Sequence, residues 1–312
     1  MYIHRAATYR PQKKRCVLQS KSSIHLRRLC ITAILIAMAV TMRMLSSFYI
    51  PLFGEAGMRV GISGIFSAMP AILFGPVWGA IASGATDVLG HFMRPTGAYL
   101  PAMTLAHVSS GFLRGLLWLL LRKCDPKKIH LAVLIFSFCL LVFGGVNWVI
   151  LRLDGITPEF FTYHYYGEAD TSGMLFISRL IISRSQIASN PATMLNTMIT
   201  TTTRASIAAG VLGLLLYGTD VLMSAALKKD YKEYTSIMPL LISMLVAGWW
   251  LNTFNTIILR NMQWAGWQHL PFGVVWLPRI IQNTIVTIVY TYFVAFLLGV
   301  CKRQKYLRAY LR

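Results

Sequence analysis

MRVGISGIFSAMPAILFGPVWGAIASGATD, residues 58–87, decides the fold. The stretch reads as two short apolar helices joined at Phe74-Gly75-Pro76, and it closes on one carboxylate, Asp87. Pro76 cannot continue the first helix and biases Gly75 away from helical geometry. Gly75, Gly79 and Gly84 remove side-chain bulk where two helices must approach closely. Inside a bilayer that is how helices associate, because lipid supplies no hydrophobic drive between them. A charge at the far end of such a helix is costly unless it faces protein or a water-filled cavity. A tight helical hairpin that delivers one acid to a membrane depth therefore reads as part of a binding pocket.

The rest of the chain fits that environment. Hydrophobic residues make up 56% of it, charged residues 13%, and the mean hydropathy is +0.58. A soluble chain carries about a quarter charged residues, so the fold class expected is all-α, a polytopic membrane bundle. The net charge of +20 suggests nucleic acid at first. The basic residues instead cluster at the ends of apolar runs, which is a topology signal. No nucleic-acid partner is expected. The five cysteines show neither CxxC nor His-Cys spacing, so neither a disulfide framework nor a metal site is expected. No Walker A, GxGxxG or GxSxG pattern occurs. No cofactor is expected, and a transporter of this sequence would not hydrolyse ATP itself.

Eight spans are expected, at about 29–49, 60–74, 77–91, 101–121, 131–151, 205–227, 237–259 and 274–300. The second and third are shorter than the roughly 20 residues that cross the hydrocarbon core. They must tilt, thin the bilayer or pack inside the bundle. With the N-terminus in the cytoplasm, every lysine and most of the 30 basic residues fall inside. Glu55, Asp154, Glu159, Glu168 and Asp170 fall outside. The positive-inside rule then places both termini in the cytoplasm of a cell-membrane protein. The run Leu29–Val40 has the length of a signal-peptide core. Its basic flank is too long, and Ser46-Ser47-Phe48 makes a poor cleavage site. It is expected to remain as the first span. Residues 152–204 read as a long external connection. FFTYHYY (160–166) and MLFISRLIIS (174–183) suit an interfacial anchor, a mobile loop or a lid.

Placed by span direction, the polar intramembrane residues share one depth. Arg43 ends the first span, Asp87 the third, and His107 lies in the outer half of the fourth. Asn252, Thr253 and Asn255 lie in the outer half of the seventh, while Arg279, Gln282 and Asn283 begin the eighth. A single such residue usually snorkels; five spans in agreement point to a shared external cavity. Arg43 and Arg279 carry guanidinium forks suited to a carboxylate. Asp87 can accept paired N–H donors from an aminopyrimidine-like ring, or it can form a structural ion pair with Arg43 or Arg279. Trp249, Trp250, Phe48 and Tyr49 can stack on a flat ligand or simply pack. Asn252 and Asn255 can line the cavity or join helices, and His107 can touch ligand or pack. Arg114 and Asp220 lie deeper and read as structural, paired with each other or with a partner protein. Ala33 and Ala37 share one face of the first helix, with Ala39 beside them, and let another helix approach.

Together these blocks resemble the substrate-binding S components of energy-coupling factor (ECF) transporters, most closely the folate-family S component. The resemblance is carried by the AILIA stripe (33–37), by RVGISGIFSAMPAILFGPVWGAIASGATDVLG (59–90) and by RPTGAYLPAMTLAHVSSGFLRGLL (94–117). WLNTFNTIIL (250–259) and LPRIIQN (277–283) look like that family's last two helices. The resemblance implies a six-helix core that captures a vitamin, folate or a related pterin, from outside. It implies a pocket at Arg43, Asp87, Asn252 and Arg279. It also implies docking through Ala33 and Ala37 on a transmembrane coupling protein driven by two ATPase subunits, and toppling to release the vitamin. It divides the chain into a basic arm (1–28), core helices (29–124), an insertion with two extra spans (125–233), two last core helices (234–301) and a basic tail (302–312). An S component for another flat vitamin stays open, as does a self-sufficient secondary transporter, although no inverted repeat is visible. An enzyme is not expected, because the scattered histidines form no metal cluster or nucleophile–base set.

Overall fold

The computed structural model describes residues 12–153, 191–227, 237–263, 268 and 272–303, apart from 47, 53–54 and 96. Eight α-helices account for nearly all of it. They are α1 (Gln12–Ser46), α2 (Ser63–Phe74), α3 (Pro76–Met93), α4 (Pro101–Leu121), α5 (Pro126–Leu153), α6 (Pro191–Leu227), α7 (Met238–Ile258) and α8 (Phe272–Arg303). A π-turn, Leu259–Gln263, prolongs α7. Among the described residues six helices are long and apolar enough to cross a membrane, so the chain is a multi-pass membrane protein of the all-α class. The expected spans each find a helix. The described residues also include a hairpin of β1 (Phe48–Leu52) and β2 (Glu55–Val60), antiparallel, with Tyr49 opposite Arg59.

The largest differences from the sequence reading are at two helix starts. Helix α1 starts at Gln12 rather than near residue 29. Hydropathy marks only the apolar part of a helix, and the Lys, Arg and Gln of the arm are good helix formers. Helix α6 starts at Pro191, well before residue 205. Its first turns, with Pro191 at the start as N-terminal turns favour, are threonine-rich and hide the helix from an apolar window. The interfacial segments expected at 160–166 and 174–183, the tail beyond 303 and the arm before residue 12 lie outside the described residues.

Helices α1, α2, α3, α4, α7 and α8 pack into one bundle, with α2 touching α1, α3, α4 and α8. Helix α2 has only 12 residues, about 18 Å of rise against roughly 30 Å of hydrocarbon. It resolves the short-span problem by packing inside. Ile65, Met69, Ile72 and Leu73 of α2 form a buried cluster with Trp118 near the end of α4, Leu240 and Met244 at the start of α7, and Val294 and Leu298 late in α8. That cluster fills one half of the bundle. The half above the first turn of α2 is left for polar groups.

The α2–α3 joint shows why glycine and proline sit there. Gly75 has φ +97°, a conformation that side chains resist, and its N–H donates to the Ala71 carbonyl at 3.1 Å. Pro76 then occupies the first turn of α3. Further along, Gly79 of α3 and Gly111 of α4 face each other so closely that a Cβ on Gly79 would sit 2.5 Å from the Gly111 carbonyl. Gly115 meets Pro76 in the same way. These contacts hold α3 and α4 almost backbone to backbone, and they fix Asp87 beside His107.

Helices α5 and α6 pack chiefly on each other and only lightly on α7 and α8. Asn147 donates to Thr203 Oγ1 at 2.6 Å between them, and both are buried. The sequence reading leaves Arg114 and Asp220 to pair with each other or with a partner protein. Asp220 instead lies 2.7 Å from His130 Nε2 and accepts the Ile237 N–H at 3.0 Å. Helix order explains the difference: α5 is adjacent to α6, and α4 is not. The buried carboxylate ties α5 and α6 to the start of α7.

Candidate functional site: a polar cavity in one half of the bundle

Above α2 lies a cavity of about 410 Å³. It sits towards the end of the bundle where α1, α3 and α7 finish and α4 and α8 begin. Helical periodicity builds its walls. Helix α4 contributes Met103, His107, Ser110 and Arg114, while α7 contributes Gly248, Leu251, Asn252 and Asn255. Helix α8 adds Arg279, Gln282, Asn283 and Val286, and Ser63, Gly64 and Ser67 come from the first turns of α2. The Tyr290 hydroxyl donates to the Gly61 carbonyl, joining α8 to the backbone just before α2.

Asp87 is the hub of one wall, and only 7% of it is exposed. Its Oδ1 lies 3.5 Å from Arg43 Nη1 and 3.3 Å from His107 Nε2. Its Oδ2 accepts the Thr104 hydroxyl at 2.9 Å. Thr104 Oγ1 in turn lies 2.9 Å from the Tyr99 hydroxyl, and Tyr99 packs against His91 and Phe92. Since Thr104 gives its proton to Asp87, Tyr99 donates to Thr104. Arg43 also donates to the Thr86 carbonyl at 3.3 Å. Its side chain crosses Gly90, where a Cβ would fall 2.6 Å from Nη1. A glycine on α3 is thus the slot through which an α1 arginine reaches the carboxylate. The sequence left open whether Asp87 serves a ligand or an ion pair with Arg43. The ion pair exists, and it stands in the cavity wall.

Facing this wall, buried Arg279 donates through Nε to Asn252 Oδ1 at 3.2 Å. Asn255 Oδ1 and Asn283 Nδ2 are buried without a hydrogen-bond partner. Of the residues expected at the site, Arg43, Asp87, His107, Asn252, Asn255 and Arg279 line one cavity, and Trp249 does not. Trp249 follows Gly248 by one residue, about 100° around the helix, and turns towards α8, where its Nε1 donates to Thr284 at 2.9 Å. Trp250, 43% exposed, donates to Ser109 and packs on Phe254. Phe48 and Tyr49 fall in β1, whose side chains lie outside the described residues.

Sequence reasoning read Arg114 as structural and passed over Tyr99, Thr104 and the first turns of α2. Arg114 was legible: it continues the series 103, 107, 110, 114 along one helical face. The α2 turns were not, because only the shortness of α2 brings them to cavity depth.

Away from the cavity, Ala33 and Ala37 are exposed on α1 beside Ile34 and Met38, whereas Ala39 is fully buried. The small-residue face therefore points out of the bundle.

The described helices thus form a membrane bundle with a polar cavity above an apolar cluster. Residues 23–169 match the family model described as ECF-type riboflavin transporter, S component. The folate transporter FolT of Clostridium novyi (strain NT) is 31% identical over 91 residues, 29% of this chain and 52% of that relative. The chain thus spans about half the length of the curated relative it matches. No solved structure matches. The chain resembles ECF S components, and both matches are transport proteins rather than enzymes.

Proposed function

We propose that the chain is the vitamin-binding S subunit of an ECF-type ATP-driven importer, with folate or a related pterin as its substrate. The observation that carries the choice of ligand is the charge inventory of the cavity. Three guanidiniums, Arg43, Arg114 and Arg279, line it against one carboxylate, Asp87, among the described lining residues. Cationic charge in excess at membrane depth favours a ligand that brings negative charge. Riboflavin is uncharged at neutral pH. Folate carries two glutamate carboxylates, together with an aminopyrimidine edge whose paired N–H donors suit Asp87. Arg43, Asp87, His107, Asn252, Asn255 and Arg279 are the residues assigned to it.

The positive-inside pattern supports an orientation with both termini in the cytoplasm of the cell membrane and the cavity facing outward. The outward-facing Ala33–Ala37 stripe is assigned to a transmembrane coupling protein that works with two ATPase subunits. The test is titration calorimetry of the purified chain, without partners, against folate, riboflavin, thiamine and queuine. Tight one-to-one binding of folate alone is the expected result. Tight binding of riboflavin instead would keep the class and reassign the ligand. Binding of none of the four would overturn the reading.

A further inference from the structure

We propose that Arg114 heads a second, deeper subsite of the cavity, which receives an oxygen acceptor at the leading end of the ligand. The inference rests on the reading of the cavity as a vitamin site. Arg114 lies seven residues beyond His107 on α4, about 10 Å further into the bundle. Both residues line the same cavity. His107 lies at the level of Asp87, the only carboxylate among the described lining residues, so Arg114 sits well below the Asp87 wall. Its Nε is buried with no hydrogen-bond partner. A guanidinium at membrane depth is expensive unless an anion or a set of acceptors satisfies its fork.

The surroundings offer donors rather than anions. Asn283, whose Nδ2 is also buried without a partner, and Thr287 line the cavity from α8. Ser63 lines it from α2, whose first turn carries no side-chain cap, and so does Ser67, whose hydroxyl already donates to the Gly64 carbonyl at 3.3 Å. The positive end of that helix adds to the donor field. A floor of this composition selects a carboxylate or a ring carbonyl, and a folate-like ligand has both at opposite ends. The subsite therefore sets which end enters first, and Arg114 is a specificity-determining residue.

The experiment titrates the full chain in detergent, as wild type, Arg114→Gln, Arg114→Lys and Asn283→Ala. The probes are folate, pterin and p-aminobenzoylglutamate. The Gln variant is expected to lose at least tenfold in folate affinity, and the Lys variant to recover part of that loss. A parallel loss for pterin identifies the ring carbonyl as the acceptor; a parallel loss for p-aminobenzoylglutamate identifies a carboxylate. Folate affinity within twofold of wild type in Arg114→Gln overturns the subsite. Asn283→Ala removes only an amide with an idle donor. It carries the test if the arginine variants are not monodisperse: a severalfold loss is expected, and no change overturns the proposal. A wild type that binds no folate would instead refute the folate reading itself, a failure visible before any variant is made.

Discussion

Exchanging Asp87 for asparagine is expected to weaken folate binding by about a hundredfold, in line with the roughly 2–5 kcal/mol lost when a buried charged partner is removed. The substitution keeps the volume of the side chain and takes away its charge. Three groups depend on that charge: Arg43 and His107 on Oδ1, and the Thr104 hydroxyl on Oδ2. A ligand edge with two N–H donors would lose its only anionic acceptor in the wall. The bundle should survive, because Arg43 lies near the end of α1 and can turn its head group towards water. Calorimetry on a monodisperse variant measures the effect. Affinity equal to that of wild type would take Asp87 out of the site and leave it a structural ion pair.

Placing tryptophan at Ala37 is expected to abolish uptake while leaving binding within about twofold of wild type, since an exposed position costs the fold little. Ala37 and Ala33 are exposed on α1, and among the described residues Arg43 is the only α1 side chain in the cavity wall. A bulky ring at Ala37 therefore does not reach the ligand. It does stop another helix from approaching closely, which is what a small-residue face permits. Binding is read on the purified chain, and uptake in cells that supply the coupling protein and ATPases. Lost binding would show that the stripe serves internal packing. Undiminished uptake would move the docking surface elsewhere.

Much of this architecture was legible from residues. The Phe74-Gly75-Pro76 joint, the apolar runs and the shared depth of Arg43, Asp87, His107, Asn252, Asn255 and Arg279 all follow from local chemistry and helical rise. Three kinds of feature escaped. The β-hairpin did, because strands of five and six residues beside long helices leave no periodic signal. Trp249 was misjudged because depth was used without azimuth: it shares the level of its neighbours and differs from Gly248 by a turn of the helix face. The partner of Asp220 was missed because spans at one depth need not touch; the order in which helices pack is a property of the whole bundle.

The shortness of α2 has an electrical consequence. Its apolar cluster includes Trp118, one helical turn beyond Arg114 on α4, so among the described residues apolar side chains underlie the polar volume, a packing that disfavours a file of water. A planar bilayer loaded with the purified protein should show no added conductance to protons or potassium. A cell could then keep many idle copies in reserve without draining the membrane potential on which its other transport depends.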